Sequence, residues 1–203
     1  MIAVVDYGVG NLYSLKCSLK HLGIECVITG NPKEIIAADK IILPGVGAFG
    51  DAVNKLHDTG LFELLKTQAS KGVYMLGICL GMQLLFDKSF EYGEHEGLSL
   101  VRGEICPFAG DLKKSFKIPH MGWNCLHFKN NDDPILKYNS DGDYVYFVHS
   151  FYAKNCEKSV VADAEYDILV PAIVRNKNVY GMQFHPEKSG EKGLSLLRAF
   201  AKM

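Results

Sequence analysis

Two short stretches of this sequence hold side chains whose types and spacing could do covalent chemistry. The first is Gly77-Ile78-Cys79-Leu80-Gly81. It has the G-x-S-x-G pattern of a nucleophile on a sharp strand-to-helix turn, with sulfur in place of oxygen. Glycines on both sides let the backbone pass closely where a side chain would collide. Such a turn offers the sulfur at the carboxyl end of a strand, where open α/β sheets place their sites. It also puts the sulfur at a helix N-terminus, whose dipole favours thiolate over thiol. The second stretch is Gln183-Phe184-His185-Pro186-Glu187. On an extended strand, residues two apart share a face, so His185 and Glu187 are expected to point one way and Phe184 the other. Pro186 biases His185 towards an extended backbone. A carboxylate beside an imidazole fixes its tautomer and stabilises its cation. Cys79, His185 and Glu187 thus read as nucleophile, base and orienter. His149, which ends another strand-like run, is the second candidate base.

The elements that must position these groups are legible before and after them. Residues 2–5 are an uninterrupted apolar run, as in a buried parallel strand. A glycine-bearing loop at 6–11 leads to a helix with Leu12, Leu15, Leu19 and Leu22 at helical spacing and Gly23 as its stop. A strand is expected at 24–28, a short helix capped by Asn31 and opened by Pro32, and a third strand at 40–43. Two helical stretches follow, the second over 61–70, and then the run at 73–86, whose first half is strand and whose second half has helical spacing. Four alternations of strand and helix in under ninety residues imply a parallel sheet with helices on its faces. From Gly97 on, short runs at 98–101, 123–128, 144–148, 160–164, 172–175 and 179–184 are separated by turn clusters. They read as antiparallel strands added to the sheet. A last helix spans about 191–201, with Leu194, Leu197 and Ala201 inward. The fold class is therefore α/β: an open, mostly parallel central sheet flanked by helices, with added antiparallel strands in the C-terminal half.

Gly45-Val46-Gly47-Ala48-Phe49-Gly50 matches the dinucleotide pattern G-x-G-x-x-G. The next strand ends at Gly77-Ile78-Cys79 rather than at the acidic residue that would hold a ribose. A different use fits better. If strands three and four are neighbours, this loop lies beside Cys79. Backbone N–H groups of Gly45, Val46 and Gly47, with that of Leu80, would then form an oxyanion hole.

Composition limits the alternatives. The chain has 203 residues, 48% of them hydrophobic, enough for one domain over 1–203 with a sizeable core. A net charge of -1 without a basic run gives no support for nucleic-acid or membrane-surface binding. Six scattered cysteines without a C-x-x-C read as reduced thiols of a cytoplasmic protein, not a disulfide frame or a zinc site. No secretory leader is evident, since the apolar run at 2–5 ends at Asp6, and the longest uncharged apolar stretch is too short and glycine-broken to span a bilayer.

Gly77-Ile78-Cys79-Leu80-Gly81-Met82-Gln83 together with Phe184-His185-Pro186-Glu187 resembles the class I, triad-type glutamine amidotransferases. Further stretches at 6–11, 43–49, 119–124, 146–150 and 184–189 extend the resemblance over the whole chain. They are similar to the branch of that family that serves histidine biosynthesis as a glutaminase subunit. The resemblance implies hydrolysis of glutamine to glutamate and ammonia through Cys79, His185 and Glu187, with no metal or organic cofactor. It implies that Gly81, Gln83, Ser150 and Phe151 bind glutamine. It also implies a heterodimer with a (β/α)8-barrel cyclase subunit that receives the ammonia, and places Asn11, Trp123, Tyr146 and Lys188 at or near that interface. The rival readings are a paralogous subunit feeding another synthase, such as one of surface-sugar biosynthesis, a stand-alone cysteine hydrolase of the same fold, and a non-catalytic regulatory subunit.

Overall fold

The computed structural model describes residues 1–113 and 116–203. In chain order the first half contains β1 (Ile2–Val5), α1 (Leu12–His21), β2 (Cys26–Thr29), α2 (Pro32–Ala37), β3 (Lys40–Gly45), α3 (Phe49–Asp58), α4 (Leu61–Ser70), β4 (Tyr74–Cys79) and α5 (Leu80–Gln83). The second half contains β5 (Lys88–Ser89), β6 (His95–Glu96), β7 (Glu104–Pro107), β8 (His120–Cys125), β9 (His127–Phe128), β10 (Tyr144–His149), β11 (Phe151–Lys154), β12 (Val160–Tyr166), β13 (Ile168–Asn176), β14 (Val179–Met182) and α6 (Gly190–Ala201).

The central sheet has eight strands in the order β2-β1-β3-β4-β14-β13-β12-β9. Its first five strands run parallel to one another, and β13, β12 and β9 join by antiparallel pairing. Strand alternation sorts the apolar side chains into two layers. Ala3, Val5, Ile41 and Leu43 point to the face covered by α2, α3 and α4, and pack with Ile35, Phe49, Leu56 and Leu65. Ile2, Val4, Ile42 and Leu76 point to the opposite face, covered by α1 and α6, and pack with Leu15, Leu19, Leu196, Leu197 and Phe200. Because both faces are covered, β1 is buried along its whole length, which explains its unbroken apolar sequence. Asn31 caps α2 as expected, its side chain accepting from the Lys33 amide at 3.0 Å.

Several expectations are corrected. The helix after Cys79 is a single turn. Residues 98–101 form no strand. Instead, their backbone amides donate to the carbonyls of Leu84, Leu85 and Phe86 at 2.8 to 3.1 Å and so cap the broken helix. The macrodipole argument for Cys79 therefore reduces to a few local N–H groups. The run expected at 123–128 starts earlier, at His120, and breaks at Leu126 into β8 and β9. Not all the later strands join the main sheet. β8 and β10 form a separate two-stranded ribbon, and β11, β7, β5 and β6 form a four-stranded sheet. In α6 the inward side is Gly193, Leu196, Leu197, Ala199 and Phe200, with Leu194 and Ala201 only half-buried. Gly193 sets this rotation: a Cβ there would lie 2.0 Å from the Pro186 carbonyl oxygen, so only a glycine can abut that turn. All six cysteines are free thiols, and among the described residues no helix is long and apolar enough to cross a membrane.

Candidate active site

Cys79 stands at the last position of β4 with φ 55° and ψ −114°, a conformation that non-glycine residues rarely hold. The two flanking glycines make it possible. A Cβ on Gly77 would lie 2.5 Å from the Gly81 carbonyl oxygen, and one on Gly81 would lie 1.8 Å from that of Leu43. The turn is thus folded against itself and against β3. Register places Gly45 directly beside Cys79 in the parallel β3–β4 pair, as the oxyanion reading required. Gly45 is packed as tightly: its missing side chain would meet the Gly81 nitrogen, Leu80 Cβ and the Tyr7 hydroxyl, each at 2.9 Å. That hydroxyl donates to the Pro44 carbonyl at 2.9 Å and fixes the start of the loop. Burial, with the charge of Cys79 adding to it, pushes the Tyr7 pKa far above its usual value, so the phenol stays a donor.

His185 lies just beyond β14, the strand paired with β4 on its other side. The expected strand alternation does not hold here, because β14 ends at Met182 and Pro186–Lys188 turns as a 3-10 helix. The His185–Glu187 contact forms all the same. Nδ1 of His185 lies 2.9 Å from Oε1 of Glu187, with both side chains almost wholly buried. Ser189 clamps this turn: its hydroxyl donates to the His185 carbonyl at 2.6 Å and accepts from the Tyr146 amide at 2.9 Å. The His185 amide donates back to the Tyr146 carbonyl at 3.0 Å. Burial alone would pull the imidazole pKa down. Hydrogen bonds to the Cys79 sulfur and the Glu187 carboxylate, with their charges, overcome that and hold it at about 9. The ring is thereby a strong acceptor for the thiol proton, with Glu187 Oε1 stabilising the cation.

Cys79 and His185 open into a cavity of about 310 Å³. Val46, Gly47, Leu80, Gln83, Ser150, Phe151 and Lys188 line it with them. Gly45 and Gly81 lie in the wall behind. A larger cavity of about 590 Å³, between β11, β12 and β13, contains no member of the triad, so volume alone does not locate the chemistry. Asn11 borders a water-sized cavity next to His185 and Glu187. Trp123 and Tyr146 face each other across the β8–β10 ribbon, their rings 6.2 Å apart and edge to face.

Two groups escaped the sequence reading, Glu91 in the cavity wall and Gln183 buried behind the nucleophile, and a third, His149, has a different place from the one expected. Among the described residues, Glu91 is the one acidic residue lining the cavity, and it accepts from the Phe49 amide at 2.6 Å. Burial pushes its carboxyl pKa up. Gln183, fully buried, directs Nε2 towards the Cys79 sulfur at 4.0 Å and accepts from Gln83 Nε2 at 3.1 Å. Its place two residues before His185 was the available signal. His149 lines the cavity but is no base: burial holds its pKa at about 3, and both its ring nitrogens are engaged within the protein.

The model of the family "Glutamine amidotransferase class-I" matches residues 3–203. The chain is 50% identical to an imidazole glycerol phosphate synthase subunit HisH from Caldanaerobacter subterraneus subsp. tengcongensis, over 100% of this chain and 98% of that one. It is 47% identical to the subunit of the same name from Bacillus subtilis, over 100% and 96% respectively. Among solved structures, a glutamine amidotransferase aligns with a TM-score of 0.77 at 19% identity, covering 100% of this chain and 98% of the other, which speaks for the fold. With the elbow, the His185–Glu187 pair and the shared cavity, these matches place the chain in a family: it belongs to the class I glutamine amidotransferases.

Proposed function

We propose that the chain is the glutaminase subunit of an imidazole glycerol phosphate synthase, hydrolysing glutamine and passing ammonia to a cyclase subunit in histidine biosynthesis. The observation that carries the chemistry is the strained Cys79 held in one cavity with His185 and the Gly45–Gly47 loop. The observation that carries the biological role is the 47% to 50% identity over the full chain to subunits of that name.

Cys79 Sγ attacks the side-chain carboxamide carbon of glutamine while His185 takes the thiol proton. The developing oxyanion is met by the Leu80 N–H and by N–H groups of the Gly45–Gly47 loop. His185 returns the proton to nitrogen, the C–N bond breaks and ammonia leaves a γ-glutamyl thioester. Water, deprotonated by His185, adds to the thioester; glutamate departs and the thiol is restored. Glu187 holds the ring through both steps. Free glutamine carries an α-ammonium and an α-carboxylate. Glu91 matches the first, and backbone N–H groups of Ser150 and Phe151 match the second, with Gln83 holding that wall through its bond to the Phe151 carbonyl.

Ammonia released into water becomes ammonium, so a covered exit is needed. Support for a docking face comes from the outer side of the β8–β10 ribbon, where Met121, Trp123 and Tyr144 are 64%, 56% and 58% exposed. Val148, on the same side of β10, lines the catalytic cavity, so this apolar face runs to its edge. Tyr146 and Lys188 lie in the same region, and Asn11 next to the triad. We assign this face to the (β/α)8-barrel cyclase partner.

The test is glutamate release by the purified chain, alone and with a cyclase subunit plus its nucleotide ligand, beside a Cys79→Ala control. Cys79-dependent stimulation by partner and ligand is expected. Full activity without a partner would replace this reading with a stand-alone hydrolase. Inactivity under both conditions, with Cys79 labelled by a glutamine-analogue electrophile, would indicate a subunit for another synthase.

A further inference from the structure

Resting on the reading of the Cys79 cavity as the glutamine site, we propose that His120 and His149 act as a neutral hydrogen-bonded pair that positions the Ser150–Phe151 wall of that cavity.

The donors and acceptors along this pair can be assigned in only one direction while both rings are neutral. The Phe151 carbonyl can only accept, and His149 Nδ1 lies 2.8 Å from it, so Nδ1 carries the proton. His149 Nε2 is then a lone pair, and His120 Nδ1, 3.0 Å away, must donate to it. His120 Nε2 is left as an acceptor, faced at 3.4 Å by the Asn124 side-chain amide, which also donates to the Glu165 carbonyl at 2.8 Å. At the other end the Phe151 carbonyl receives a second donor, Gln83 Nε2, at 3.1 Å. The remaining Gln83 N–H goes to Gln183 Oε1, and Gln183 Nε2 points at the Cys79 sulfur. One chain of hydrogen bonds thus runs from the β8–β12 edge to the nucleophile, with the Phe151 carbonyl in the middle.

The surroundings keep the pair neutral and its rings fixed. His120 and His149 are 2% and 6% exposed. His120 is stacked between Phe147 and Tyr166, with ring centres 4.7 Å and 4.0 Å away, and Phe108 lies against both histidines. Burial depresses both pKa values, to about 4 and about 3. Rings held this way tie the paired β8–β10 ribbon to a fixed location for one carbonyl. That carbonyl fixes both the backbone at Ser150–Phe151 and the amide of Gln83. These are positioning residues, since both ring nitrogens of His149 are engaged within the protein and His120 does not line the cavity.

The experiment compares His120→Leu with His120→Asn in the full chain, assayed with the cyclase partner and its nucleotide ligand. Leucine removes the donor to His149, and asparagine keeps an N–H near the Nδ1 position. A KM for glutamine raised about tenfold in His120→Leu, with kcat changed less than threefold and most of the KM recovered in His120→Asn, is expected for loss of one buried donor. Unchanged KM in His120→Leu overturns the proposal. If the wild-type chain releases no glutamate with this partner, the proposed function fails, and the positioning is still decided by NMR. The unsubstituted chain should show both rings as neutral Nδ1–H tautomers at pH 7, and Ser150 and Phe151 amide signals should shift in His120→Leu. A charged or Nε2–H ring, or unmoved Ser150 and Phe151 signals, refutes the pair on its own.

Discussion

Replacing Glu187 by glutamine isolates what its charge does. The side chains of His185 and Glu187 are only 4% and 3% exposed, and their contact is 2.9 Å. The second carboxylate oxygen, Oε2, is buried and has no donor among the described residues, so the negative charge is shared with little besides the imidazole. The ring stands at about 9 rather than 6.5, against a desolvation effect that acts the other way. That net difference corresponds to roughly 3 kcal/mol of preference for the charged ring, so Cys79 and Glu187 together contribute at least that much. Glutamine keeps the shape and loses the charge. If Glu187 supplies even half, the imidazole falls by at least about one pH unit and kcat drops on the order of 10² to 10⁴. The assay is the rate of Cys79 carboxamidomethylation between pH 5 and 11, followed by peptide mass mapping, beside glutamate release. The alkaline inflection, where the imidazolium loses its proton, should move down in Glu187→Gln. Stability follows the same linkage. His185 is raised on folding, so its contribution is fully present below about pH 6.5 and is lost as pH rises through about 9. The stability gap between wild type and Glu187→Gln should therefore be larger at pH 6 than at pH 10. An unmoved alkaline inflection with wild-type kcat would refute the orienting role.

Gly81→Ala should abolish glutaminase activity by at least about a hundredfold, because its Cβ would lie 1.8 Å from the Leu43 carbonyl oxygen and the elbow must move by around an ångström; steady-state kinetics with a melting curve would separate lost activity from lost fold. Ser189→Ala leaves the His185 carbonyl and the Tyr146 amide without their shared hydroxyl. We expect a loss of about 1–3 kcal/mol in denaturant unfolding and a fall in kcat larger than any rise in KM.

The alternation of apolar runs and helical spacings before Cys79 was readable because each element buries a whole face, and burial writes its period into the chain. β1 and α4 are seen where the sequence puts them, and the Gly-x-Cys-x-Gly turn is legible because no other residue fits at Gly77 or Gly81. The second half was less legible. Several of its strands are only two to four residues long, several lie in separate small sheets, and many have partners distant in sequence, as with β7 and β11 or β8 and β10. The failure of the helix after Gln83 to continue was hidden for the same reason: what ends it is a loop more than ten residues on, whose amides take its carbonyls.

The sequence by itself singled out Cys79, His185 and Glu187 as the candidate nucleophile, base and orienter, because such residue types within local turns leave a local pattern. Only the tertiary structure decided which groups join them. Gly45 becomes a neighbour of Cys79 through β-sheet register, and Glu91 enters the cavity from the segment after α5. Gln183 couples to Gln83 across the β4–β14 junction. His149, which by sequence was a rival base, is disqualified by its buried contact with His120. Each of these depends on pairing between segments far apart in the chain, and such pairings are fixed by packing and register rather than by local composition.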